Sequence, residues 1–395
     1  MSTVFLFGCG NGDGLAPHPP SRTIVREDVL AKADLQYYWK RQLSLDRGEV
    51  IVRMYCMDEN LYFLTDQNHL YAMDAAVGNP KWNLPVTRTQ DTVFSPTHIS
   101  NMRLSEKVEA LENFEQPFPP EVFETFDAVL INSMNRLLVI DRKRGKVFRD
   151  IPFAGYVATN RGVSDGTYFY VASDSRLYYS LKLESGVNVW WKEMGETIMA
   201  PMSFYNGRLY MGTVDGVFRC ADVDNFGEKR WQLRFYGPVR SGFHVDARGV
   251  FLACEDRQIY SLDPDSGVKL WDPVSLKGAI TGLMQVGELT IFQYAAGDGL
   301  YAINLANGKL RWKKPDGRRV LGLMDGVVCM LDGRNNLQMV NEITGKSISS
   351  TPLGGFDFYA ENLTAPAIYT ARKDGKVFCI RPKRAGRLTA EMLMR

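Results

Sequence analysis

A chain of 395 residues, 45% apolar and 23% charged, has enough apolar material for a large core and an ordinary composition for a folded protein. Its formal net charge of +2 is too small to mark a nucleic-acid binder, and no nucleic acid is expected among its partners. No apolar run approaches the roughly 20 residues that a bilayer-spanning helix requires.

Residues 1–34 read as a lipoprotein-like N-terminus and flexible tether. Leu6-Phe7-Gly8-Cys9 resembles a bacterial lipobox, in which a small residue precedes a Cys that becomes lipidated. Gly10-Asn-Gly-Asp-Gly14 and Pro17, Pro19 and Pro20 follow, a polar stretch unable to pack. No Lys or Arg precedes the apolar run, which is shorter than a normal signal core. Two readings of Cys9 therefore stand: a lipid attachment site, or a chance Cys in a disordered N-terminus. The first would put the protein at a bacterial cell envelope, facing the periplasm and held to a membrane.

From Leu70 onward one phrase recurs. Leu70-Tyr-Ala72-Met-Asp74 leads to a turn with Gly78 and then to Trp82. Close copies contain Asp263, Gly267 and Trp271, and Gly308 and Trp312; weaker ones contain Gly186 and Trp190, and Gly227 and Trp231. Degenerate copies begin at Leu137, Leu337 and Val377. The copies begin at 70, 137, 177, 217, 259, 300, 337 and 377, a spacing near 40 in all but the first interval. Such a period is the signature of a repeat architecture with a continuous core.

The copy after Trp231 shows the local grammar. Residues 237–245 read as an inner strand, Gly249-Val-Phe-Leu-Ala-Cys254 and Ile259-Tyr-Ser-Leu-Asp263 as central strands, and Val268-Lys-Leu-Trp271 as the start of an outer strand. Four short antiparallel strands in about 40 residues make one blade of a β-propeller. The Trp would wedge between neighbouring blades, and a small residue opposite it (Ala72, Ser261, Ala302) would let the indole approach. Eight copies predict an all-β, eight-bladed propeller over residues 35–385. The last copy has no Trp after it, whereas Tyr37-Tyr-Trp39-Lys-Arg-Gln-Leu43 is an unattached Trp strand. Since open sheet edges are a liability, residues 37–43 are expected to close the final blade.

The long first interval marks an insertion at about 87–127, between blades 1 and 2. Leu104, Val108 and Leu111 share a helical face, so a short helix is expected over Ser100–Phe114. Residues 386–395 read as a basic C-terminal tail; contact with anionic phospholipid and a solvated end are the two readings of it.

The pattern Ala72-x-Asp74-x-x-x-Gly78-x-x-x-Trp82 resembles the tryptophan-docking motif of the pyrroloquinoline-quinone (PQQ) propeller superfamily. That superfamily includes quinoprotein alcohol dehydrogenases and the propeller lipoprotein of the bacterial outer-membrane β-barrel assembly machinery. The resemblance implies the fold across nearly the whole chain, and leaves function open between a dehydrogenase and a binding scaffold. The adjacent cysteines of many family enzymes have no counterpart here.

Other chemical patterns dissolve on inspection. Gly162-Val-Ser164-Asp-Gly166 matches a nucleophile elbow, but a strand follows it rather than a helix, so Ser164 is expected in a hairpin turn. Gly8-Cys-Gly-Asn-Gly12 resembles a phosphate-binding loop without a following helix, and Asp222–Gly227 resembles a calcium loop without its remaining acidic ligands. The four histidines are scattered, and the five cysteines beyond Cys9 sit on apolar strand patterns, as buried small hydrophobes do. The expected function is therefore that of a non-catalytic, monomeric scaffold for envelope proteins, with no metal and no cofactor. A PQQ-dependent oxidoreductase is the first alternative. A carbohydrate-binding propeller, using the loop aromatics Tyr156, Phe235 and Tyr236, is the second.

Overall fold

The computed structural model describes residues 23–105 and 123–394. Eight antiparallel sheets follow one another along the chain as the blades of a propeller. Blade 1 spans residues 51–85, blade 2 97–152, blade 3 163–193, blade 4 203–234, blade 5 244–275, blade 6 279–314 and blade 7 317–352. Blade 8 combines three strands from residues 358–382 with Leu35–Gln42 from the other end of the chain.

Within a blade, burial follows position. Asn60–Thr65, a central strand of blade 1, is buried at every residue, which explains its unbroken Leu61-Tyr-Phe-Leu64 run. The outer strand Pro80–Pro85 is only half-buried and carries polar residues accordingly. Eight apolar clusters fill the eight seams between neighbouring blades, so the core is a ring of wedges rather than one central mass.

The ring closes as the sequence predicts. Leu35–Gln42 runs antiparallel to Lys376–Pro382, from Leu35 opposite Pro382 to Gln42 opposite Lys376, with an irregularity between Tyr37 and Trp39. Lys376–Pro382 thereby has a paired strand on both sides, Leu35–Gln42 on one and Ile368–Ala371 on the other.

Several local expectations change. Residues 100–105 are not helical: Thr97–Ser105 is the inner strand of blade 2, paired with Phe123–Asn132. Met102 and Leu104 are buried between outward-facing Asn101 and Arg103, an alternation that the sparse apolar spacing also permits. The extra length thus lies within a hairpin of blade 2 rather than between blades; residues 106–122 lie outside the described residues. The inner strand of blade 5 is only His244–Asp246. Its outer strand is reduced to Val274–Ser275, because Pro273 cannot donate to the ladder, and Trp271 lies outside it.

The ends are more ordered than expected. Residues 24–34 pack on blades 7 and 8 through a helical turn, Glu27–Ala31, with Leu30 fully buried. At the other end, Leu388 and Leu393 are buried against blades 8 and 1. Cys9 and the rest of residues 1–22 lie outside the described residues.

Candidate functional site

The repeated motif builds the seams first. Asp74 opens the outer turn of blade 1: its Oδ1 accepts from the Ala76 and Val77 amides at 2.9 and 3.0 Å, and its carbonyl accepts from the Gly78 amide. The same capping recurs at Asp141, Asp263 and Asn341. Gly78 has φ +73°, and the indole of Trp39 lies so close that a Cβ at Gly78 would be 2.7 Å from it. Each indole likewise seats on the turn of the following blade: Trp82 on Gly145, Trp190 on Gly227, Trp231 on Gly267, Trp271 on Gly308 and Trp312 on Gly345. Four indoles also donate to the carbonyl after the capping residue, as Trp82 does to Arg142 at 3.0 Å. Trp39 does not; the matching carbonyl of Ala75 accepts from the Tyr369 hydroxyl at 3.0 Å.

Blade 2 has no Trp, and Arg149 stands in its place opposite Val139. Its buried guanidinium donates to Glu184 Oε1 at 2.7 Å, to the Glu184 carbonyl at 3.1 Å and to the Ser105 carbonyl at 2.8 Å. Burial raises the Glu184 pKa, but the Ser105 hydrogen bonds and Arg149 outweigh it, and the carboxyl is held below its usual range. Nothing in a degenerate repeat copy identifies Arg149 as a wedge; only its position eight residues after the capping Asp141, the spacing of Trp82 from Asp74, hints at it.

The seam between blades 1 and 2 carries a second buried cation. Arg142 pairs with Asp58, Glu59 and Asp127 at 3.3, 3.0 and 3.0 Å. His98 bridges Asp58 and the Tyr62 hydroxyl at 2.7 and 2.8 Å, and this hydrogen bond depresses the Asp58 pKa.

The structure also groups residues that are scattered in the sequence. Asp46, Glu49 and His69 hold ligand atoms within 4.8 Å of one another beside a cavity of about 440 Å³. Both oxygens of the buried Glu49 are already engaged. Thr65 and Tyr71 donate to it at 2.6 and 2.8 Å, the Asp46 amide at 2.9 Å, and His69 lies at 3.2 Å. The group therefore fastens the linker between the closing strand and blade 1.

Ser164 lies in a hairpin, its hydroxyl donating to the Tyr168 carbonyl at 2.6 Å. Among the described residues the cysteines are free thiols, with Cys220 opposite Trp231 and Cys379 opposite Trp39. Tyr156 and Phe235 are buried, Tyr156 stacked on Tyr179 at 4.0 Å, so of the three aromatics considered for sugar binding only Tyr236 is available. The clearest exposed apolar group lies on the outer strand of blade 3. Val187, Val189 and Trp191 are 59%, 46% and 60% exposed within five residues, the first just before and the other two on Asn188–Glu193, a strand that ends its sheet.

Comparison with known proteins agrees with this architecture. A solved structure of BamB from Moraxella catarrhalis superposes with a TM-score of 0.62, covering 90% of this chain and 99% of that one at 14% identity, which shows a shared fold. The outer membrane protein assembly factor BamB of Nitrosomonas eutropha is 25% identical over 156 residues. That alignment covers 38% of this chain, and the chain spans only 38% of the length of that curated relative. The family model described as outer membrane protein assembly factor BamB matches residues 133–234 and 219–388. With more than half of its length matched, the chain belongs to the BamB family of PQQ-like propellers.

Proposed function

We propose that this protein is a non-catalytic propeller scaffold in the bacterial cell envelope that serves outer-membrane protein assembly by binding protein partners. The observation that carries the binding reading is the exposed Val187–Trp191 edge of blade 3 on a closed, rigid ring. An outermost strand leaves backbone donors and acceptors open, and bare apolar side chains beside them suit a partner's extended segment. Family membership supports the assembly setting, since the matching relative is named for that task.

The test is affinity purification from native envelopes with wild-type protein and with Val189→Lys and Trp191→Ala. Loss of the recovered partner in both variants, with unchanged melting, supports the edge; full retention refutes it. Two further parts of the reading have their own checks. Attachment through a lipidated Cys9 predicts a mass increase at the mature N-terminus, and an unmodified, intact N-terminus defeats it. Function without a cofactor predicts that PQQ leaves the melting temperature unmoved.

A further inference from the structure

Among the described residues the largest fully buried side chain is a cation, Arg381, at 1% exposure. It occupies the position at which other repeats carry the capping Asp. Blade 8 needs no cap there, because its outer strand arrives from the N-terminus instead of through a turn. The guanidinium turns inward: Nε donates to the Pro366 carbonyl at 2.9 Å and Nη1 to the Gly386 carbonyl at 2.8 Å. The Tyr38 ring lies 4.8 Å away, and Nη2 has no hydrogen-bond partner among the described residues.

Buried charges in proteins are ordinarily neutralised, because desolvating an ion costs more than neutral hydrogen bonds return. Among the described residues, the two other arginines with no more than 4% exposure follow that rule, Arg142 with three carboxylates and Arg149 with Glu184. Arg381 has no carboxylate within ion-pair distance among the described residues. It lines a cavity of about 410 Å³ between blades 7 and 8, a size that suits a small ligand. A second cation, Arg384, stands at the rim with its side chain 93% exposed and only a distant contact to Asp34 at 4.0 Å. One acid, Asp325, shares the lining, so the cavity keeps a positive excess. Leu323, Met324 and Met392 supply an apolar wall.

We propose that this cavity binds a phosphate-type oxyanion, with Arg381 as the cation at its base and Arg384 closing over the ligand. Guanidinium groups present forked donors that match such oxyanions. Free phosphate and the headgroup of an anionic phospholipid share this chemistry, and the apolar wall accommodates either the bare ion or a lipid's glycerol end.

The experiment is a thermal-shift and calorimetric titration of the full chain with inorganic phosphate, against chloride at matched ionic strength. Wild type should gain melting temperature with phosphate in a saturable way. Arg381→Met should lose the response, and Arg384→Ala, at an exposed rim position, should bind about fivefold more weakly, the scale of one exposed charge. Phosphate acting no better than chloride overturns the proposal. So does an unchanged phosphate affinity in Arg384→Ala, which remains decisive if Arg381→Met fails to fold. Flotation with phosphatidylglycerol vesicles separates the sources: binding that free phosphate displaces assigns the headgroup, and phosphate binding without flotation assigns the free ion.

Discussion

The indole of Trp39, from the first described strand, lies against Gly78 in the outer turn of blade 1, where even a methyl group would come within 2.7 Å of the ring. This contact seals the last blade onto the first. Gly78→Ala should therefore cost about 3 kcal/mol or more, combining a left-handed backbone with overpacking. Gly48, at φ +85° with open space around it, isolates the backbone share, and Gly48→Ala should cost about 1 kcal/mol. Urea unfolding of both variants checks the difference; equal losses would mean that the indole seat contributes nothing.

Removal of residues 1–45 takes away Leu35–Gln42 and exposes the Lys376–Pro382 edge. The truncated protein should melt far below the full chain and aggregate through that edge. Trp39→Ala alone should cost about 3–5 kcal/mol. Unchanged melting of the truncated chain would contradict ring closure by the N-terminal strand.

Arg149→Ala leaves Glu184 without its buried partner and should destabilise by about 3–5 kcal/mol. The exposed pair Arg26–Asp28 serves as the control, with Arg26→Ala expected within about 1 kcal/mol of wild type. Denaturant titration distinguishes a seam wedge from a surface charge.

Glu49 has its pKa held below the ordinary carboxylate range. Burial raises it, but hydrogen bonds from Thr65, Asp46 and Tyr71 and the nearby His69 prevail. A depressed folded pKa contributes stability that is fully present above the unfolded-state value near 4.5, and lost as pH falls through the folded value. Glu49→Gln should thus flatten the acid limb of the stability curve below about pH 4.5. A limb as steep as wild type would exclude Glu49 as a source of acid sensitivity.

Burial pushes the Cys220 and Cys254 thiols up to about 11 and Cys329 to about 12. At neutral pH these three should resist iodoacetamide in the folded protein and react on unfolding, as peptide mass spectrometry would show. Rapid native labelling of Cys220 would contradict its place beneath Trp231.

Much of the fold was legible because a blade is a local object. Its strands alternate and its turns need Asp and Gly at set offsets, so the copies from Leu70 to Val377 announce themselves. The seams were less legible. The copy containing Gly78 and Trp82 suggests a unit, yet Gly78 receives Trp39 and Trp82 seats on Gly145. Arg149 escaped notice because it substitutes for a Trp by position and charge rather than by likeness. Residues 100–105 invited a helix because Met102 and Leu104 satisfy a strand only once their partners, residues 124–126, are known. Asp46, Glu49 and His69 came together only because closure brings the linker beside blade 1.

The sequence by itself determined the blade, the number of blades and the strand that completes the ring, because these follow from backbone preferences and periodic burial within about 40 residues. Tertiary structure alone decided which indole meets which glycine, which buried arginines find carboxylates, and that Arg381 finds none among the described residues. Those outcomes depend on packing between residues tens to hundreds of positions apart, where shape and desolvation, rather than local pattern, select the partner.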